Sequence, residues 1–438
     1  MDEPADLVKQ ARSVLELNDQ GSFTIPAEGL YPHQWLWDSC FIAIGIRNYD
    51  VERAKGEILS LLRGQWSNGM LPHMILGPNH GFVRNSIWRS WLNPNSPDDL
   101  VTSGITQPPL LAEAVVQIGR KMKMPERRSW YQLVFPALVA HHEWLYRERD
   151  PHQEGLILQI HPWETGLDNT PPWMNEIHNH SLPLWIRMVE KSHLAPLLNL
   201  FRRDTHRIPA EQRLNIIDAL VLYSTQRRLR RKNYEIDKIL AHSLFAVEDL
   251  TFNCILIRAN QHLITIAKTI RKQLPEELLA NIKKTEDKLE QLWDPYSNQY
   301  YSRNFVTHKL LKESTIATLL PLYAGTVSEK QAKQLVKLLE NQNIFGPAYP
   351  VPSVPINSTW FKPTGYWQGP TWLNTNWLII DGLKRYGFDE HAEALIETSL
   401  EMVNQAGFFE YFNPLTGDPA GAHNFSWTAA LAIDLIKQ

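Results

Sequence analysis

The pattern that most limits the fold is an alternation. Amphipathic runs with a 3.6-residue period are separated by irregular stretches that are by turns short and long. The runs fall near 4–18, 36–47, 50–63, 107–122, 126–149, 182–200, 209–231, 235–246, 248–272, 275–293, 312–325, 328–341, 372–386, 388–405 and 425–437. Their ends carry the expected punctuation: Ser328 before Glu329, Pro125 before Glu126, Pro275 before two glutamates, and Gly387 after Arg385-Tyr386. Period-two alternation is lacking, with short extended pieces expected only near 156–160 and 299–306. The long irregular stretches are 20–35, 64–106, 150–176, 294–311, 342–371 and 406–424. Structureless loops longer than about 12–15 residues are rare in compact domains unless they are functional. Consecutive helices alternate direction, so long loops that alternate with short ones gather at one end. That predicts an all-α chain closed as an α/α toroid, with its working loops at one mouth. No low-complexity linker divides the chain, so 1–438 reads as one domain. Segment 174–210 stands apart, as either an inserted helical cap or an ordinary hairpin of the ring.

Composition narrows the function. The chain is 43% hydrophobic and 21% charged, which is globular, and its net charge of −3 gives no basic excess for nucleic acid. Cys40 and Cys254 are its two cysteines, so no disulfide framework is expected. The acidic, polar start lacks the pattern of a signal peptide, and no apolar run approaches the roughly 20 residues of a membrane span. A cytoplasmic protein is the resulting expectation. The aromatic content is the anomaly: sixteen Trp, fourteen Tyr and fifteen Phe. Trp35, Trp37, Trp66, Trp163, Trp173, Trp360, Trp367 and Trp372 lie in stretches rich in Pro, Gly and Asn. Rings so placed either close loops over the core or present flat faces to sugar rings.

Five constellations carry candidate chemistry. In HPWETGLDNTPPW (161–173), Gly166 and the prolines break helix, leaving Glu164 and Asp168 on a loop beside Trp163 and Trp173. Desolvation there raises a carboxyl pKa, as a general acid needs; Asp168 is equally suited to cap the helix that follows. In GFFEYFNPLTG (407–417), Glu410 sits among Phe408, Phe409, Tyr411 and Phe412, either salt-bridged or poised to activate water. YPHQWLWDS (31–39) offers Trp35, Trp37 and Asp38, a carboxylate for sugar hydroxyls or for the helix dipole. SGITQPP (103–109) offers Gln107. TGYWQGPTWLNTNW (364–377) offers Tyr366, Trp367, Gln368 and Trp372. Two acids on separate aromatic loops suit glycoside hydrolysis, which pairs a protonated carboxylic acid with an ionised carboxylate. No nucleophile elbow, Walker loop or zinc spacing appears, and His178 and His180, two residues apart, would not share a helical face, so no cofactor or metal is expected. The basic run RRLRRK (227–232) reads as a solvated helix face.

Taken in order, WLWDSCFIAIGI, NGMLPHMI, SGITQPP, HPWETGLDN, FAVEDLTFNCIL, YWQGPTWLNTNW and FEYFNPLTG with FSWTAAL resemble glycoside hydrolase family 63. The closer likeness is to its short bacterial branch of mannosylglycerate and glucosylglycerate hydrolases. The resemblance implies an (α/α)6 toroid, a small α-glucoside or α-mannoside as substrate and inversion of configuration. It implies Asp168 as general acid and Glu410 as general base. It also implies sugar contacts from Trp35, Trp37, Asp38, Gln107, Tyr366, Trp367, Gln368 and Trp372. Tyr31, His73, Trp163 and Gly166, in the same motifs, are expected substrate contacts as well. For the carboxylate of a glycerate aglycone, the resemblance points to Arg228 and Tyr234. Two features depart from the family: Pro172 stands where relatives carry Arg, and the segment after 174 is longer.

Two other functions stay open at this level. A sugar isomerase or epimerase on a similar toroid would oppose histidines, and His33, His73 and His161 are available. A non-catalytic saccharide-binding protein would keep the aromatics alone.

Overall fold

A computed structural model describes residues 3–77, 86–179, 183–191, 202, 206–241, 243 and 245–438. Its architecture is a ring of helices inside a second ring. Leu36–Ile46, Leu111–Arg120, Leu250–Ile270, Pro321–Ala324, Leu373–Arg385 and Ser426–Ile436 each pack on the next, and the last packs back on the first. Six further helices brace them from outside: Glu3–Leu17, Val51–Leu62, Met124–Arg149, Glu276–Lys288, Glu329–Glu340 and Asp389–Ala406. This is the (α/α)6 toroid.

The two rings have different sequences for a physical reason. An outer helix needs one apolar stripe, and Val51–Leu62 buries Ala54, Ile58 and Leu61 at helical spacing, together with Glu57. An inner helix meets protein all round. All eleven residues of Leu36–Ile46 are buried, including Asp38 and Ser39, and so is nearly every residue of Leu111–Arg120. Gly45 lies where a Cβ would fall 2.3 Å from the carbonyl oxygen of Ala430, so its absence lets two inner helices touch. Outer helix ends follow local chemistry: the Ser328 side chain accepts from the Gln331 amide and Gln331 returns a bond to the Ser328 amide, a full capping box.

The long loops are more ordered than their composition suggests. Short antiparallel pairs staple them: Gln34–Trp35 with Met74–Ile75, Val247–Glu248 with Arg303–Asn304, Trp293–Asp294 with Gln299–Tyr300, and Phe409–Phe412 with Pro419–His423. The piece expected near 299–306 is therefore present as two strands, and Gln159 bridges Val247 within the one expected near 156–160. The run at 312–325 is a 3-10 turn, Ile316–Leu319, joined to the single turn Pro321–Ala324. The segment 174–210 falls partly outside the described residues; within it Leu184–Lys191 is helical and Ile186 enters the core. The His178 and His180 side chains also lie outside the description. No described helix is long and apolar enough to cross a membrane.

Candidate active site

At the mouth of the ring the loops enclose a cavity of about 330 Å³, within the usual range for small-molecule sites. Three carboxylates reach it: Asp38, Asp168 and Glu410. Each arrives on a differently built support.

Asp38 belongs to the first turn of Leu36–Ile46, whose start is fixed by the strand pair that holds Trp35 extended. It is 5% exposed. Burial, with Glu410 and Asp168 adding like charge, pushes its pKa well above the ordinary range.

Asp168 ends a tightly tied loop. His161 accepts from the Trp163 amide through Nδ1 (3.1 Å) and donates from Nε2 to the Leu222 carbonyl (3.0 Å), so it is a neutral imidazole of one tautomer. Pro162–Thr165 forms one helical turn, and Gly166 reverses it in the left-handed region at φ 75°. A Cβ there would meet the Trp37 ring at 2.6 Å, so two separate constraints demand glycine. Downstream, Trp173 Nε1 donates to the Leu167 carbonyl (3.0 Å), and Asn169 Oδ1 accepts from the Trp367 amide (2.9 Å). The Asp168 carboxyl, pointing into the cavity, accepts from Tyr366 Oη at 3.2 Å. Burial raises its pKa from 3.8 to about 7; Tyr366 and Arg213 oppose the rise and Glu410 adds to it. The helix after it starts at Pro171.

Glu410 lies in the aromatic strand Phe409–Phe412, at a register shift between Phe409 and Tyr411. A bulge re-aims a side chain, and here it turns the one acid of the strand into the cavity. Glu410 is 2% exposed, and its hydrogen-bond partners are all donors: Tyr31 Oη (2.7 Å), the Ala422 amide (2.9 Å) and Arg213 Nη1 at 3.3 Å from both oxygens. Arg213 itself lies between the Tyr31 and Tyr366 rings, 5.6 and 4.6 Å from their centroids. Its neighbour Gln212 is pinned to the hairpin, its carbonyl accepting from Tyr411 Oη and its side chain from the Gly421 amide.

Of the other residues singled out from sequence, Tyr31, Trp35, Trp37, His73, Gln107, Trp163, Gly166, Tyr366 and Trp367 line this cavity. Trp163 and His73 lie parallel, 6.2 Å apart, as one wall. Gln368 and Trp372 stand behind the lining: Gln368 donates to the Asn169 carbonyl (2.8 Å), and Trp372 stacks flat on Trp367 at 3.8 Å. Arg228 and Tyr234 are not brought to the cavity. Arg228 is in the last turn of Ile216–Arg231, and Tyr234 packs on Gly104 with its hydroxyl on the Trp88 carbonyl. The end of that helix and the turn after it are tied to the Ile87–Trp88 backbone by Gln226, Arg230 and Tyr234. Glu164, the second acid of its loop, is fully buried and ion-paired with Arg149 at 2.9 Å, away from the cavity.

Sequence reasoning missed Arg213, Trp88, Phe425 and Trp427 as lining residues. Trp427 was legible in FSWTAAL; Arg213 fell inside the run expected helical from 209, whereas the helix begins only at Ile216 and leaves Arg213 ahead of it, at the cavity. His33 and His73 line the cavity, but they are tied to loop backbone and to Ser103, and burial brings His73 down to about 3. The cavity thus gathers three carboxylates, while the two histidines that line it are held to backbone and to Ser103.

The mannosylglycerate hydrolase MGH1-like glycoside hydrolase domain matches residues 31–428. A mannosylglycerate hydrolase of Thermus thermophilus is 38% identical, over 97% of this chain and 99% of that protein. A glucosylglycerate hydrolase of Mycolicibacterium hassiacum is 30% identical over 98% of both. A crystal structure of the Thermus thermophilus mannosylglycerate hydrolase of glycoside hydrolase family 63, in complex with Tris and D-glycerate, superimposes with a TM-score of 0.87 at 37% identity, covering 98% of this chain and 99% of that one.

Proposed function

From the premise that this chain belongs to the MGH1-like glycoside hydrolase family and is a glycoside hydrolase, we propose that it cleaves a small α-mannoside or α-glucoside bearing an acidic aglycone, with inversion. The observation that carries the reading is the unequal pair in one cavity: Asp168, with a pKa raised to about 7, and Glu410, ringed by donors. Near neutral pH a group like Asp168 is partly protonated and able to give its proton to the glycosidic oxygen. A carboxylate held by donors alone accepts the proton of a water attacking the opposite face of the sugar. Inverting enzymes hold such groups about 6.5–9.5 Å apart, with the water between base and ring.

The aromatic walls supply the glycone site. Trp163, Trp35 and Trp37 offer faces to C–H surfaces, while Asp38 and Gln107 take hydroxyls. Arg213 supports the choice of aglycone. Among the described residues it is the arginine that lines the cavity, and planar guanidinium suits a carboxylate. A base held permanently in an ion pair would be blunted. Arg213 stands farther from Glu410 (3.3 Å) than Tyr31 or Ala422 does, its shorter bond being to Tyr31 Oη (2.7 Å), and in this reading a substrate carboxylate competes with Glu410 for its guanidinium. Within one catalytic domain, we propose a capping role for the described part of segment 174–210, where Leu184–Lys191 packs on Ile216–Arg231. Two buried free thiols, Cys40 and Cys254, suit a reducing compartment such as the cytoplasm.

The test is a substrate panel of mannosylglycerate, glucosylglycerate, glucosylglycerol, trehalose, kojibiose and nigerose. The acidic pair should exceed glucosylglycerol by at least about tenfold in kcat/KM, the discrimination expected of one charge-assisted contact. Preference for a neutral disaccharide would overturn the reading of the aglycone.

A further inference from the structure

Glu164 is an acid that the mechanism leaves unused, yet its surroundings are unusually specific. It is 0% exposed and takes donors from three separate stretches. Oε1 accepts from Arg149 Nη2 (2.9 Å) at the end of the helix Met124–Arg149, and from the Thr106 amide (3.2 Å). Oε2 accepts from the Ile160 amide (2.8 Å). Thr106 precedes Gln107, which faces the cavity; Ile160 begins the loop that ends at Asp168. One buried carboxylate therefore fastens the loop of the acid to the loop of a sugar contact, and both to an outer helix. The loop's other end has its own anchors in Trp173 and Trp367, but its near end depends on Glu164 and His161.

We infer that Glu164 is a positioning residue for Asp168: it fixes the near end of the acid loop, and so the place of the acid's carboxyl relative to the glycosidic oxygen. The charge matters as much as the shape. All three partners are donors, so an amide at this position turns its NH2 toward at least one N–H. The inference rests on Asp168 being the general acid, and the test separates the two claims. Fluoride departs from a glycosyl fluoride without needing a proton from the enzyme, whereas glycerate needs one on its bridging oxygen to leave. Misplacing the acid therefore slows the second substrate and spares the first, while a general loss of folded enzyme slows both.

The experiment compares wild type, Glu164→Gln, Arg149→Lys and Asp168→Asn on mannosylglycerate and on α-mannosyl fluoride, with pH profiles of kcat. Glu164→Gln should lose at least about tenfold in kcat on mannosylglycerate, keep its fluoride rate within about threefold, and move the alkaline limb of the profile. Arg149→Lys keeps a cation on Glu164 and should show the same pattern more weakly. It carries the test if the glutamine variant does not fold. Equal losses on both substrates, or a change confined to KM, would overturn the inference. If Asp168→Asn itself shows no leaving-group dependence, the assignment of the acid fails instead.

Discussion

Replacing Asp168 by Asn is expected to make the protein more stable while making it inactive, and more stable only above acid pH. The folded-state pKa of about 7 lies above the unfolded value of 3.8. The linkage therefore has a definite sign: the full contribution of this group to stability is present below about pH 4 and is lost as pH climbs to about 7. At roughly 1.4 kcal/mol per pKa unit, the ionised side chain costs about 4 kcal/mol in a dry site. Asp168 faces the cavity, where water screens it, so about 1–2 kcal/mol is the expected remainder. Unfolding releases about 2.1 cal/mol/K per residue, which over 438 residues converts that remainder to a Tm rise of about 1–2 °C. The assay is a pair of melts, wild type against Asp168→Asn, at pH 5 and pH 8.5. Roughly a third of the difference should already be present at the first, and all of it, in favour of the variant, at the second. A variant less stable than wild type at pH 8.5, or an offset independent of pH, would refute the claim that burial strains this carboxylate.

Glu410→Gln should lower kcat by about 10²–10⁴ while a calorimetric titration still shows substrate binding; near-full activity would remove Glu410 from the mechanism. Arg213→Met should raise KM for mannosylglycerate by about tenfold or more and leave a neutral α-glycoside little changed; equal losses on both would tie Arg213 to Glu410 alone. The alkaline limb of kcat/KM in wild type should fall near pH 7, set by Asp168, and Tyr366→Phe, which removes the hydrogen bond that lowers its pKa, should carry that limb upward.

What the sequence disclosed follows from which signals are local. Helical periodicity found most of the ring, because an outer helix such as Val51–Leu62 wears its single apolar stripe openly. The inner helices were legible as helices but not as inner ones, since the polar residues Asp38 and Ser39 in Leu36–Ile46 are buried too. The hairpin around Glu410 escaped: four aromatic residues flank the acid without alternating polar positions, and the register shift there breaks the period. Asp168, Trp163 and Gly166 reached the cavity because helix breakers marked their loop. Arg228 and Tyr234 did not, because they lie at and just beyond the far end of a helix of sixteen residues, while Arg213, just ahead of its start, takes the place at the cavity. Contacts made across distant loops, such as Arg213 with Glu410, leave no trace in either local sequence.

Proton NMR of the first seconds of α-mannosylglycerate hydrolysis tests the central claim most directly. A carboxyl acid and a water-activating carboxylate on opposite faces of one sugar release the β-anomer first, with the α-anomer growing in later by mutarotation. Initial release of the α-anomer would mean that Glu410 does not work through water and would contradict the account.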